Sequence, residues 1–486
     1  MWGDRRPEAR PGHEPRWMAP QTDAQGRFRL SEQNFDLVVL GGGSGGYAAA
    51  LRAVQLGLTV ALVEKDKLGG TCLHRGCIPT KALLHAAEVA DNSRESAKFG
   101  VRSTFEGIDV PAVTKYRESI VASKFKGLQG LVKARGITVV EGEGRLVAAN
   151  AVQVGDQRLV GKNVVLATGS YSRSLPGLEI GGRVITSEQA LELDFVPQKV
   201  AVLGGGVIGV EFASVWKSFG AEVTIIEALP HLVPNEEEVI SKHLERAFRK
   251  RGIDYKLGVR FQGVTQHDDG VVVTLENGET VEAELLLVAV GRGPVTQNLG
   301  YEEAGVTIDR GFVITDERLQ TSVPGVYAVG DIVPGLQLAH RGFQQGIFVA
   351  EEIAGLNPIV VEDVNVPKVT YCEPEVASVG YTEARAAEKF GADKVSSYEY
   401  NLAGNGKSHI LETSGIIKVV RVEDGPVVGV HMIGARVGEL IGEAQLAVNW
   451  EAYPEDIAPL IHAHPTQNEA LGEAFLKLAG KPLHAL

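Results

Sequence analysis

The 486-residue sequence predicts an α/β protein of two similar lobes, a central segment and a C-terminal α+β domain. Three observations predict it. A strand, glycine turn, helix and second strand recur in that order 163 positions apart. Glycine supplies 58 of the 486 residues, where about 7% is usual, so tight turns and close backbone approaches are frequent. From about Val364 short strand-like runs precede an Ala- and Glu-rich helix. A net charge of −13 argues against a nucleic-acid partner, because phosphate binding wants a basic face. Three cysteines exclude a disulfide-stapled secreted scaffold. No apolar run reaches the roughly 18 residues of a membrane span, so no membrane partner is expected.

Taken in order, residues 1–30 are polar and rich in Arg and Pro, which predicts a disordered tail. They contain no apolar stretch for a secretory signal, and the expected location is cytoplasmic. The body opens with a strand at Phe35–Leu40, a turn at Gly41–Gly46, a helix ending at Gly57 and a strand from Thr59 closed by Glu64. The copy runs through Val200–Leu203, Gly204–Gly209, a helix to Gly220 and a strand closed by Glu227. Further strands are expected at Val164–Gly169, Leu285–Val290 before Gly291, and Val326–Asp331. The resulting division is 31–169 and 170–290 for the two lobes, 291–362 for the central segment and 363–486 for the last domain. A charged helix from Asn235 to Gly252 reads as a solvated face with dipole-complementing ends.

The duplicated turns have the G-x-G-x-x-G form of Rossmann-like dinucleotide-binding lobes. Gly41, Gly43 and Gly46 lie between strand and helix, and Gly204, Gly206 and Gly209 repeat them. Glycine lets backbone N–H groups and the helix N-terminus reach a pyrophosphate. Glu64 and Glu227 each stand 18 residues after the third glycine, where an acid would accept from a ribose hydroxyl. Glu227 would repel a 2′-phosphate and no Arg lies between Ala221 and Pro230, so the second lobe is expected to take NAD rather than NADP.

The most informative segment is Gly69–Lys81. Cys72 and Cys77 are separated by four residues, and Cys77 opens an expected helix through Val89, with Pro79 in its first turn. A helix N-terminus favours a thiolate, and two thiols this close suit a dithiol–disulfide couple. Half of a zinc site and two inert buried thiols are the other readings of the pair. Cys372 reads as a bystander. Near the C-terminus, His464 and Glu469 have the spacing of a proton-handling imidazole and a carboxylate that orients it. His462 reads as structural or positioning.

Gly-Gly-Thr-Cys-x4-Cys between two dinucleotide fingerprints resembles the flavoprotein disulfide reductases, the class I pyridine nucleotide-disulfide oxidoreductases. The resemblance covers nearly all of Phe35–Leu486. Within them Leu338-Ala339-His340, Asn401–Asn405 and the C-terminal segment are most similar to the dihydrolipoamide dehydrogenase (E3) family. The resemblance implies FAD on the first lobe, NAD on the second and a homodimer joined through the C-terminal domain. It implies cofactor contacts at Thr168, Gly169, Gly291, Gly330, Asp331 and Ala339, and a Lys81–Glu211 pair beside the flavin. Cys72 would exchange with substrate and Cys77 would face the flavin. The base would be His464, held by Glu469 and supplied by the other subunit. The implied reaction oxidises dihydrolipoamide on the lipoyl domains of 2-oxo acid dehydrogenase acyltransferase (E2) components and reduces NAD⁺. His74 and Thr80 depart from the usual Asn and Ser, and Arg341–Gln345 lacks the usual acidic character. A glutathione- or mercuric-type reductase is the alternative enzyme, but it would want an Arg cluster after the second fingerprint or a C-terminal Cys pair. A non-catalytic subunit of such a complex is the alternative outside enzymes.

Overall fold

The computed structural model describes residues 31–485; the expected N-terminal tail lies outside the described residues. Strand Ser31–Leu40 is the centre of the first lobe. It pairs in parallel with Val60–Glu64 on one side and Gln157–Leu166 on the other, with Leu37 opposite Val60 and Asn163. Thr138–Glu141 extends the sheet, and Val326–Ala328 joins Gln157–Leu166 in parallel. The chain therefore leaves this sheet for the second lobe and returns to it. Leu37, Val38 and Val39 are fully buried, as expected of a parallel strand covered on both faces. The strand is longer than the apolar run because its exposed first half pairs with residues 157–161.

The second lobe repeats the design. Its five parallel strands run Ile253–Leu257, Glu222–Glu227, Lys199–Leu203, Leu285–Val288 and Val184–Thr186 across the sheet. An antiparallel three-stranded sheet at 261–283 packs beside it. The C-terminal domain is a five-stranded antiparallel sheet, in the order Lys368–Thr370, Glu375–Gly380, Val427–Gly434, Ile416–Val422 and Val395–Asn401. Helices Val437–Asn449 and Glu469–Leu478 pack on it through Ala444, Ala470, Ala474 and Phe475. The mixed α/β architecture agrees with the sequence expectation.

Small residues bring the returning helix Ala339–Ile353 onto the first-lobe helix Ser44–Gln55. A Cβ on Gly346 would stand 2.2 Å from the Gly45 carbonyl oxygen. The two helices consequently cross at backbone contact, next to the first glycine turn.

The helix read as solvated does keep Glu238, Lys242, Arg246, Arg249 and Lys250 exposed, but its opposite face and its ends are a correction. Helix Glu238–Arg251 buries Ile240, Leu244 and Phe248, and the acids before it point into an interdomain contact. Glu237 binds Lys418 at 2.7 Å, and Glu236 binds Lys368 at 3.0 Å. At the other end Arg251 reaches Asp91, Ser218 and the Glu373 carbonyl. Charge at a helix end is as compatible with a polar domain junction as with water, and sequence periodicity does not separate the two.

Candidate functional site: two nucleotide cradles and a dithiol

The glycine turns superimpose in detail. Gly41 and Gly204 take φ of 108° and 109°. A Cβ on either would lie 2.3 Å from a backbone oxygen, of Ala167 or Ala289. Gly46 and Gly209 pack as tightly, 1.8 and 1.9 Å from the Gly41 and Gly204 oxygens. Gly43 and Gly206 are different. A Cβ on Gly43 meets only the Gly70 Cα at 4.0 Å, and one on Gly206 meets nothing within 4 Å. Both are helix N-caps with no side-chain cap, so the first-turn N–H groups face open space. That is a fit for a pyrophosphate in each lobe.

The two acids are held alike. Glu64 accepts from the N–H of Gly42 at 2.7 Å and of Asp66 at 2.8 Å. Glu227 accepts from Gly205 at 2.7 Å and Leu229 at 2.8 Å. Each carboxylate is thereby fixed at the mouth of its cradle with lone pairs left for a ribose hydroxyl. Around the first cradle, Asp331 accepts from the Ser170 hydroxyl, and Arg292 donates to the same hydroxyl at 2.7 Å. Thr168 donates to the Val295 carbonyl at 2.6 Å and contacts the Tyr301 hydroxyl at 3.0 Å. Gly330 donates to Gln345 at 2.8 Å, which puts a neutral amide to use where the family pattern is acidic. Gly169, Gly291 and Gly330 leave open space where a Cβ would stand, and Ala339 opens the returning helix half-buried.

Cys72 lies on a short helix, Gly70–His74, and Cys77 is the first residue of helix Cys77–Glu95. Both are half-buried free thiols in this structure. The neighbouring Cys72 thiol, assisted by the Lys81 ammonium against the effect of burial, brings Cys77 down to about 7. Cys72, beside Cys77 and itself buried, is pushed far up. The dithiol thus has one acidic and one reluctant sulfur. Lys81, one turn into the helix, makes a two-pronged ion pair with Glu211 at 2.8 and 2.9 Å. Burial disfavours the ammonium, but Glu211 more than restores it. Glu211 is on the second-lobe helix Val207–Phe219, so the pair ties the cradles' two helices together beside the dithiol.

His464 and Glu469 are also together. His464 Nδ1 lies 2.8 Å from Glu469 Oε1, while the Thr466 N–H donates to Oε2 at 2.7 Å. Burial pushes Glu469 up, but these two donors hold it below its ordinary value. The His464 side chain is 80% exposed, and Glu469 is its hydrogen-bond partner among the described residues. One chain therefore presents this pair outward rather than placing it on its own cysteines. His462 pairs with Glu443 at 2.9 Å and lies under Gly472, which fits a positioning role. Asn405 donates to the Thr466 carbonyl at 2.9 Å, anchoring the segment from the Asn401–Asn405 run.

Comparison with known families decides the assignment. A family described as pyridine nucleotide-disulphide oxidoreductase matches residues 35–346, and the corresponding dimerisation domain matches residues 366–475. The chain belongs to the pyridine nucleotide-disulphide oxidoreductases. It is 40% identical to a dihydrolipoyl dehydrogenase of Bacillus subtilis, over 93% of this chain and 99% of that one. It is 39% identical to the mitochondrial dihydrolipoyl dehydrogenase 1 of Arabidopsis thaliana, over 93% and 92%. The crystal structure of LpdA from Mycobacterium tuberculosis superimposes with a TM-score of 0.85 at 26% identity, covering 92% of this chain and all of that one. The dihydrolipoyl dehydrogenases of this family use FAD and NAD(H), and the cradles fit them. Sequence reasoning missed Tyr371, whose ring lies on Lys81; His74, noted only as a departure from the usual Asn, places its Nε2 2.9 Å from the Leu68 carbonyl oxygen. An isolated aromatic just past a strand end carries no spacing signal.

Proposed function

We propose that this oxidoreductase is a dihydrolipoyl dehydrogenase, with NAD⁺ as final acceptor and the lipoyl domains of E2 components as substrate carriers. The observation that carries the reading is the Cys72–Cys77 thiol pair at the start of helix Cys77–Glu95, with the Lys81–Glu211 ion pair one turn on and two uncapped glycine cradles in the lobes. The names and identities of the relatives support it. FAD, when bound along the Gly41–Gly46 cradle, supplies two-electron transfer between the dithiol and NAD⁺. Glu227 selects NAD⁺ by accepting from the ribose and repelling a 2′-phosphate. Lys81 supplies the positive charge beside the dithiol.

The chain's own residues carry the thiol chemistry. In the oxidised state Cys72 and Cys77 are joined. Nε2 of His464, from the second subunit, takes a proton from one thiol of dihydrolipoamide; Nδ1 is held by Glu469. The substrate thiolate attacks the Cys72 sulfur, forming a mixed disulfide and releasing Cys77 as thiolate. The second substrate sulfur displaces Cys72, which leaves as the thiol, so that one substrate proton ends on Cys72 and the other on His464. Lipoamide leaves as a disulfide, and the cysteine pair has gained its two electrons. Cys77, the acidic member, keeps its negative charge near neutral pH.

Among the described residues no helix is long and apolar enough to cross a membrane; the proposed location is cytoplasmic. A steady-state assay settles the reading. Dihydrolipoamide with NAD⁺ is expected to turn over well above dihydrolipoamide with NADP⁺ and above oxidised glutathione or mercuric ion with either reduced nucleotide. Preference for glutathione, mercuric ion or NADP⁺ would overturn it.

A further inference from the structure

We infer that Tyr371 is a positioning residue: its ring seats the Lys81 ammonium, its N–H takes one Glu211 oxygen, and the C-terminal domain thereby fixes the cation beside Cys77. The inference deepens the proposed role of Cys77 and rests on it.

Tyr371 directly follows the strand Lys368–Thr370, at the edge of the C-terminal sheet. Its N–H donates to Glu211 Oε1 at 3.0 Å. Lys81 Nζ stands 4.8 Å from its ring centroid. An ammonium has three donors in a compact head; Glu211 takes two of them, and the ring's negative face covers a further side. The residues that follow are stitched to the same helix. The Glu373 N–H donates to Ser214 Oγ at 3.1 Å, and Arg251 bridges Ser214 Oγ and the Glu373 carbonyl at 3.2 and 3.0 Å. Glu211 and Ser214 are three residues apart, so they share one helix face. Cys372, between these anchors, is buried in the second-lobe core. The strand end thus lies along the helix that carries Glu211, and this seam holds the Tyr371 backbone beside Lys81.

The position of the ammonium matters because Glu211 and Lys81 act on Cys77 with opposite sign. Cys72, Lys81 and Glu211 are the titrating groups that face the Cys77 sulfur. Around Lys81 stand Glu211, Cys77 and Tyr371, and Tyr371 itself has Glu375 and Glu439 among its charged neighbours. A long lysine stem without the ring gains rotamer freedom and water. The cation would then spend less time near the thiolate, while Glu211, held by Tyr371 N–H, stays.

The test is an ultraviolet thiolate titration of the full-length protein in a Cys72→Ser background, where Cys77 is read alone because burial pushes the Cys372 thiol well above the range. Tyr371 is 38% exposed, so replacing it opens no core cavity. Tyr371→Leu is expected to raise the Cys77 midpoint by about half a pH unit, a size set by an ordinary cation–π contact. Tyr371→Phe, which keeps the ring, is expected to restore the parental midpoint. An unchanged midpoint in Tyr371→Leu, or equal rises in both variants, overturns the inference. The dihydrolipoamide assay on the unmutated chain reports separately on the function, so the two can fail independently.

Discussion

At the scale of single residues, the chemistry depends on the inequality of two sulfurs. Cys77 is brought down to about 7, so its thiolate population rises as pH climbs through that value and falls below it. Anaerobic iodoacetamide labelling of the reduced chain, mapped to Cys77, is expected to show a pH midpoint near 7, and Lys81→Gln should move it upward because the ammonium lowers the thiol. A midpoint at an ordinary thiol value of about 8.5 would contradict the geometry. Cys77→Ser is expected to remove dihydrolipoamide turnover altogether, with thermal stability retained. Much of this site was legible. The Cys72–Cys77 spacing, the His464–Glu469 spacing and the Lys81–Glu211 pair were each visible, the last through the resemblance. What was not legible lies across domain seams. Tyr371 touches Lys81 from 290 positions away, and Asn405 touches Thr466 from 61; only folding brings them close.

At the scale of elements, the duplicated lobes were read to within a few residues because both signals are local. A buried parallel strand needs a run of apolar residues, and a glycine turn needs its glycines. The lengths went astray where tertiary pairing decides. Helix Cys77–Glu95 runs past the expected Val89, and Ser31–Phe35 becomes strand only by pairing with residues 157–161. The cradle glycines divide into two kinds, which gives a paired prediction. Gly206→Ala places its methyl in open space, so the melting temperature is expected to hold while the KM for NAD⁺ rises. Gly209→Ala drives a methyl against the Gly204 oxygen, so a loss of about 1–3 kcal/mol in stability is expected, read by thermal or urea unfolding. Equal effects of the two would contradict the cradle geometry. Glu236, Glu237 and Arg251, at the ends of the charged Asn235–Gly252 segment, were misread because charge alone does not report burial. Lys418, 6% exposed, neutralises Glu237 and Glu383 at 2.7 Å each. Lys418→Met would leave those acids uncompensated and is expected to cost about 3–5 kcal/mol by urea unfolding; a loss below about 1 kcal/mol would show that the junction is wet.

At the scale of the whole molecule, the proposed reaction needs a second chain to supply its base. His464 faces outward, and the same domain exposes Trp450 and leaves Ile461 99% exposed, an apolar surface suited to the dimerisation domain that residues 366–475 match. The His464 motif carries no address in its own residues, since a residue's own chain and its partner's are identical in text; the expectation of the other subunit came only through the resemblance. Hybrid dimers supply the address. Chains bearing Cys77→Ser and chains bearing His464→Ala are expected to be inactive as separate dimers, the second reduced by about 10²–10⁴. Co-expressed with different tags and purified as the hybrid, they combine one intact cysteine pair with the other chain's intact histidine at a single site. The account predicts dihydrolipoamide–NAD⁺ activity near half that of the unmutated dimer. A hybrid as inactive as its parents would contradict it.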